Sequence, residues 1–346
     1  MEGNKLLNVA QIGVGYWGPN LLRNLIANKR CNVKHVVDVC SERRDFVKGL
    51  YPAVTVSDDS ERVLNEPSVD AVVIATPVES HYDLAMRALT CGKHVLVEKP
   101  MAGTPDEVQK IADLAAEKEL VAMVGHTFIF NPAVRFIKKY IDSGQLGEVR
   151  YIYSQRLNLG RIRSDVDALW NFAPHDVSII QYLMNDAQPV SVSVRGMDYI
   201  QDGIDDIAFM NITYSSKVMA NIHVSWLDPR KVRSMTVVGS HKMIVYDDIA
   251  ESKIAIYDKG IDRMAVLGEH MDFDSPEVCS FNMRSGDVLL PKIEFTEPLK
   301  HEVSHFFDCI VDGIDCMTGP EHALKVVRIL SEARYRDAER SCAGHK

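Results

Sequence analysis

Val9-Ala10-Gln11-Ile12-Gly13-Val14-Gly15-Tyr16-Trp17-Gly18 is a short apolar run that passes into Gly-x-Gly-x-x-Gly. The run reads as a buried strand and the glycines as a phosphate-binding turn. The first glycine allows the tight turn, the second lets backbone approach a pyrophosphate, and the third lets the next helix pack close to the strand. Pro19 to Ala27 reads as that helix, and Val33 to Val39 as a second strand. Asp38 stands at the end of that strand, twenty positions past Gly18. A carboxylate there accepts hydrogen bonds from ribose hydroxyls and repels a 2′-phosphate. Arg43 and Arg44 pull the other way, toward a 2′-phosphate, but Asp38 favours NAD over NADP. Gly13, Gly15, Tyr16, Trp17, Gly18 and Asp38 are therefore the expected dinucleotide contacts.

Outward from this motif the first third of the chain alternates strand and helix. Ala71-Val72-Val73-Ile74-Ala75 is continuously apolar, as a strand covered on both faces must be. His81 to Cys91 reads as a helix ended by Gly92, and Thr104-Pro105 opens another that runs to Lys118. Such alternation implies a doubly wound parallel sheet. From Glu148 the strands follow one another with short turns, Val149–Asn158, Val190–Arg195, Ile207–Tyr214, Val218–Trp226, Ser234–Val238 and Met243–Asp247, broken by one helix over Phe172 to Met184. This predicts an α+β domain with an open, mostly antiparallel sheet. Residues 258–297 have weak periodicity and carry no assignment; two helices, Leu299 to Val311 and Pro320 to Arg340, close the chain. The expected divisions are a Rossmann domain over 1–125, a substrate-binding and oligomerisation domain over 126–297, and C-terminal helices over 298–346 that pack back on the body.

The 346 residues suffice for two domains with real cores, and 46% hydrophobic with 25% charged residues is ordinary for a globular protein. A net charge of −9 disfavours nucleic acid or an anionic membrane as partner. No apolar signal segment or membrane-spanning run is read, and seven scattered cysteines without a Cys-x-x-Cys pair point to reduced thiols in a cytoplasmic protein. An open sheet leaves a face that one layer of helices cannot cover, so a homodimer or homotetramer is expected.

Ligands of doubly wound sheets sit outside the carboxyl ends of the strands. Three clusters fall at such ends: Thr76-Pro77 with His81, Glu98-Lys99-Pro100, and His126 with Thr127. Lys99, at the mouth of a buried strand, suits the polarisation of a hydroxyl or carbonyl beside a nicotinamide. Farther along, Asn171 and His175 lie four apart and so share a helix face. A histidine there can accept a hydroxyl proton at neutral pH.

In order and spacing, Gly13-x-Gly15-x-x-Gly18, Thr76-Pro77 with His81, Glu98-Lys99-Pro100 and the helix carrying His175 resemble the glucose–fructose oxidoreductase / inositol dehydrogenase / MocA family over essentially the whole chain. The resemblance implies NAD(P)-dependent oxidation or reduction of a sugar or cyclitol carbon. It makes Lys99 the catalytic lysine, His175 the proton acceptor and Lys99–Pro100 a cis peptide, and it places Thr76, Pro77, His81, Glu98 and Lys99 at the cofactor. Many members carry aspartate where this chain has Asn171, which can orient a substrate but supplies no charge. The segments around Tyr16-Trp17 and Trp170–Asp176 are similar to a subgroup linked to surface-polysaccharide biosynthesis. That subgroup oxidises C3 of a UDP-linked N-acetylhexosamine or its uronate, and a 3-keto sugar then goes to an aminotransferase. Arg156, Arg161 and Arg163, an arginine cluster in an acidic chain, suit bidentate contact with a pyrophosphate; with His126, Asn171 and His175 they make the expected substrate set. The rival readings are an inositol or free-sugar dehydrogenase, a keto-sugar reductase, and a non-catalytic NAD-binding sensor.

His301-Glu302-Val303-Ser304-His305 matches a zinc-protease pattern, but nothing downstream supplies an obvious third ligand. Val303, Phe306, Phe307 and Ile310 fit the apolar stripe of a plain amphipathic helix, so no metal is expected.

Overall fold

A computed structural model describes the backbone of residues 6–265 and 279–343 and the side chains of 6–261 and 283–333. Contacts divide the chain into two compact units. The first takes in residues up to Asn131 together with Val177–Gln181 and Thr296–Glu332; the second takes in Pro132–Asp176, Tyr182–Phe295 and the chain from Ala333.

In the first unit the alternating elements are β1 (Leu7–Ile12), α1 (Gly18–Ala27), β2 (Cys31–Val37), α2 (Ser41–Leu50), β3 (Thr55–Ser57), α3 (Ser60–Leu64), β4 (Ala71–Ile74), α4 (His81–Thr90), β5 (His94–Glu98), α5 (Pro105–Glu117) and β6 (Ala122–Gly125). The six strands pair in parallel in the order β3-β2-β1-β4-β5-β6. Strand order reverses between β1 and β4, which puts the ligand crevice of such a sheet there. The apolar runs are explained by burial: every residue of β4, and Val95, Leu96 and Val97 of β5, lies inside. Thr104 and Glu107 form a capping box at the start of α5, with Pro105 in the first turn.

The second unit begins with α6 (Pro132–Asp142), followed by β7 (Val149–Leu159), α7 (Ala168–Leu183, of which Val177–Gln181 count with the first unit), β8 (Pro189–Met197), β9 (Ile207–Tyr214), β10 (Met219–Ser225), β11 (Leu227–Gly239), β12 (Met243–Asp247), β13 (Ile254–Ala265) and β14 (Cys279–Leu289). The strands form one sheet in the order β14-β13-β12-β11-β7-β10-β9-β8. All its pairings are antiparallel except β7 with β10. Along β7, Ile152, Ser154 and Arg156 are buried while Tyr151 and Tyr153 are exposed and stacked, so one face is covered and the other open. Phe209 and His223 stack on the exposed side of β9 and β10.

The unassigned stretch 258–297 contains the rest of β13 and the edge strand β14, together with residues outside the described set. From Arg284 to Leu290 exposure dominates, so the alternation that marks a half-buried strand is missing there. Two helices end the chain, α8 (Pro298–Asp312) and α9 (Pro320–Ala343). Within the first unit α8 packs on α1 through Arg23–Glu297, Asn28–Ser304 and Arg30 with Asp308 and Asp312. Among the described residues no helix is long and apolar enough to cross a membrane.

Candidate active site

The glycine turn packs against the loop after β4 and is tied across its ends by Gln11. Gly13 has φ +94°, and a Cβ on it would lie 2.5 Å from the Ala75 carbonyl oxygen; one on Gly18 would lie 2.7 Å from the Gly13 oxygen. Both positions therefore exclude a side chain. A Cβ on Gly15 would meet no atom within 4 Å, so the middle of the turn is open as a pyrophosphate cradle requires. The residues present thus fit a dinucleotide. Gln11, which the sequence reading passed over inside an apolar run, is completely buried, and its Nε2 donates to the carbonyls of Gly13 and Gly18, each at 2.9 Å. It ties the two ends of the turn together.

Asp38 closes the other side. Its carboxylate accepts from the Val14 N–H at 2.6 Å and the Cys40 N–H at 2.9 Å. Each oxygen keeps lone-pair capacity for a ribose hydroxyl. Arg44 is turned onto the carbonyls of Asp38 and Val39, whereas Arg43 is exposed.

Lys99 follows β5 directly, and the Lys99–Pro100 peptide is cis. Beside it the Glu98 carboxyl is packed over Gly125, where a Cβ would come within 3.3 Å of Oε1. Burial pushes the Glu98 carboxyl up to about 7, although the Lys99 charge, the Lys99 N–H and the Trp17 side chain partly offset it. Behind it lies a second carboxyl that sequence reasoning missed. Glu302 of α8 is fully buried, and burial plus the nearby Glu98 raise it well above the ordinary carboxylate range, with Thr127 giving partial relief. A cation beside two carboxyls that resist ionisation is a site where protons are held rather than released.

Two expected ligand contacts have other duties. His81 is 1% exposed; its Nδ1 lies 2.8 Å from the Pro100 carbonyl and its Nε2 2.8 Å from the Thr76 carbonyl. It clips the loop after β4 to the loop after β5, so it positions Thr76, Pro77 and Lys99 and has no ring nitrogen left for a cofactor. His126 is 2% exposed and packs edge-on against His322. Burial, His322 and Lys99 hold it well below the usual histidine range, hence neutral, and its burial keeps it from reaching a substrate directly. Thr76 stands at the mouth of β4, where its hydroxyl accepts from Ser80 at 2.7 Å, and Pro77 is exposed beside it.

In the second unit α7 carries Asn171 and His175 on one face, as the spacing requires. Asp167 caps its first turn, accepting from the Trp170 N–H at 2.7 Å. Next to His175, Asp176 is buried and pairs with Arg156 of β7 (Nε–Oδ2 2.7 Å, Nη2–Oδ1 3.4 Å). Arg156 is 6% exposed, so it does not join Arg161 and Arg163 in an exposed cluster. The alternation of β7 points it at α7, and the only way to bury a guanidinium is to pair it. Arg161 and Arg163 are exposed, and Arg163 pairs with Asp165.

The zinc-protease pattern is split by the helix. His301 is exposed and shares a hydrogen bond with Thr296, while His305 faces Cys309. Val303, Phe306 and Phe307 are buried as the stripe predicts.

Residues 7–126 match the family model described as "Oxidoreductase family, NAD-binding Rossmann fold", and residues 134–245 match "GFO/IDH/MocA C-terminal domain". The 4-carboxy-2-hydroxymuconate-6-semialdehyde dehydrogenase of Sphingobium is 30% identical over 51% of this chain and 58% of its own length. The UDP-N-acetylglucosamine 3-dehydrogenase of Acidithiobacillus ferrooxidans is 28% identical over 56% of this chain and 59% of its own. These alignments thus span under two thirds of the relatives' lengths. A solved structure of the latter, 23% identical, superposes with a TM-score of 0.76 over 95% of this chain and 97% of that one. The scyllo-inositol 2-dehydrogenase (NAD(+)) of Bacillus subtilis is 26% identical over 88% of this chain and 86% of its own. The chain belongs to the Gfo/Idh/MocA oxidoreductase family, and its N-terminal unit is that family's NAD-binding Rossmann fold.

Proposed function

We propose that the protein is an NAD-dependent dehydrogenase that oxidises C3 of a UDP-linked N-acetylhexosamine or its uronate to a 3-keto sugar for later transamination. The observation that carries the dehydrogenase reading is Lys99 at the carboxyl end of β5, in the same unit as the open Gly15 turn and Asp38. NAD, when bound, supplies the hydride acceptor. His175 takes the hydroxyl proton, Lys99 hydrogen-bonds the same oxygen and stabilises charge developing on it, and Asn171 orients the sugar. The carbon loses a hydride and its oxygen a proton, which leaves the carbonyl. Thr76, Pro77 and Glu98 border the nicotinamide. With Arg156 assigned to Asp176, a pyrophosphate would be met by the exposed Arg161 and by Arg163 in exchange for its pairing with Asp165.

The A. ferrooxidans relative supports the nucleotide sugar. The longer alignment with scyllo-inositol 2-dehydrogenase supports a second reading, a free polyol or sugar. Absorbance of NADH separates them, with UDP-N-acetylglucosamine, its uronate, UDP-glucose, myo-inositol and glucose 6-phosphate as the panel. Signal with a UDP-sugar, competed by UDP, is the expected result. Signal confined to a free polyol moves the function to the second reading, and silence despite NAD binding removes both in favour of a sensor.

The exposed sheet face with Tyr151, Tyr153, Phe209 and Met219 supports a homodimer or homotetramer. Light scattering that returns a monomer contradicts it.

A further inference from the structure

Beyond the reaction site, α8 and the turn after it bring three soft donors together. His305 and Cys309 are one helical turn apart, and Cys316 returns to them after the left-handed Gly313 ends the helix. One ligand atom from each residue lies within 4.8 Å of the others. His305 Nε2 is 3.5 Å from the Cys309 sulfur. With zinc–sulfur and zinc–nitrogen bonds of about 2.3 and 2.1 Å, a tetrahedral angle sets that separation at about 3.6 Å. The Phe130 ring, 5.3 Å from that of His305, packs against the imidazole.

We propose that His305, Cys309 and Cys316 form a binding site for Zn²⁺, with water as the fourth ligand. Two thiolates and an imidazole in a tetrahedral arrangement are the donor set that zinc prefers, and each coordinated thiol gives its proton to solvent. Cys316 and His305 are partly exposed, which gives the ion a route in. Binding competes with one existing contact, the Met317 N–H that donates to His305 Nε2 at 3.0 Å. Thr318, two residues past Cys316, accepts from the Val124 N–H of β6 at 2.8 Å, so an ion held at Cys316 fastens the turn that lines that strand.

The signal in the sequence is His-x3-Cys-x6-Cys, which shares His305 with the His-Glu-x-x-His pattern. The test uses the full chain, stripped with a chelator and kept reduced, titrated with Zn²⁺ against a chromophoric competitor, and separately with Co²⁺. No cofactor or substrate is added, so the result is independent of the dehydrogenase reading. The expected result is one equivalent of Zn²⁺ and a cobalt spectrum with thiolate charge-transfer and tetrahedral bands. Affinity should fall at least about 100-fold in Cys316→Ser and in His305→Gln, more than the loss of an outer-shell partner produces. Cys309 is the most buried of the three, so the two other variants carry the comparison should Cys309→Ser not fold. Equal affinity in the variants, or an octahedral cobalt spectrum, overturns the site. So does a mass lower by two hydrogens with Cys309 joined to Cys316 in chelator-treated, unreduced protein that binds no zinc after reduction.

Discussion

The glycine turn and the helix that bears His175 are positioned in opposite ways. The ends of the turn are tied by Gln11, which bonds both Gly13 and Gly18, and its middle by Asp38, which accepts from the Val14 N–H. The helix α7 is held by Asp167 next to it, but also by Arg156, twenty positions before its partner Asp176 and on a strand of the sheet. The Gln11 tie is neutral. The Arg156–Asp176 contact is a buried ion pair, which is costly to break from one side. The ends of the glycine turn are thus tied by a neutral amide within the motif, and the helix that bears His175 by a buried ion pair to the sheet.

Substitutions at each place test this contrast. Lys99→Ala, in the first unit, should lower turnover about 10²–10⁴-fold while NAD binding changes little, as loss of a positioned proton-handling group does; steady-state kinetics and cofactor titration check both halves. Arg156→Met should leave Asp176 buried without its cation and destabilise the protein by about 3–5 kcal/mol in urea unfolding. The double variant with Asp176→Leu should recover most of that loss. Its residual effect should fall on kcat, not on the KM for NAD. Glu302→Gln tests the buried carboxyl pair. Native carboxyls raised above the unfolded value hold protons that the unfolded chain has released, so stability falls as pH rises from the ordinary carboxylate range through the value of about 7 held by Glu98. The variant should be less stable than or equal to wild type in acid and gain about 1–3 kcal/mol on it in alkali, read from paired denaturation curves.

Gln11→Ala should free two buried carbonyls and cost about 1–3 kcal/mol, with the KM for NAD rising more than kcat falls. A larger effect on kcat would erase the distinction between the two regions. Thr104→Ala, which removes the cap of α5, should cost only about 1 kcal/mol in unfolding and leave kinetics unchanged.

What could be read in the chain and what could not follows the range of the forces involved. Gly13-x-Gly15-x-x-Gly18, the apolar runs of β4 and β5, the helix start at Thr104-Pro105 and the i, i+4 spacing of Asn171 and His175 are local statements. They were legible because backbone geometry and strand or helix periodicity act over a few residues. The stripe of α8 was legible for the same reason, but not that Glu302 beside it is buried near Glu98.

By itself the sequence determined the Rossmann order of elements, the mostly antiparallel second sheet, the open turn at Gly15 and the place of Lys99 after β5. Only the tertiary structure decided that Arg156 belongs to Asp176, that His81 spans two loop carbonyls, that His126 is a buried neutral ring and that His305 turns to Cys309 and Cys316 instead of His301. It also placed β14 at a sheet edge, where exposure on both faces had erased its pattern. The physical reason is the same in each case. A polar side chain carries no mark of its partner, because burial makes a partner obligatory while the fold, through contacts far apart in the chain, chooses which one it is.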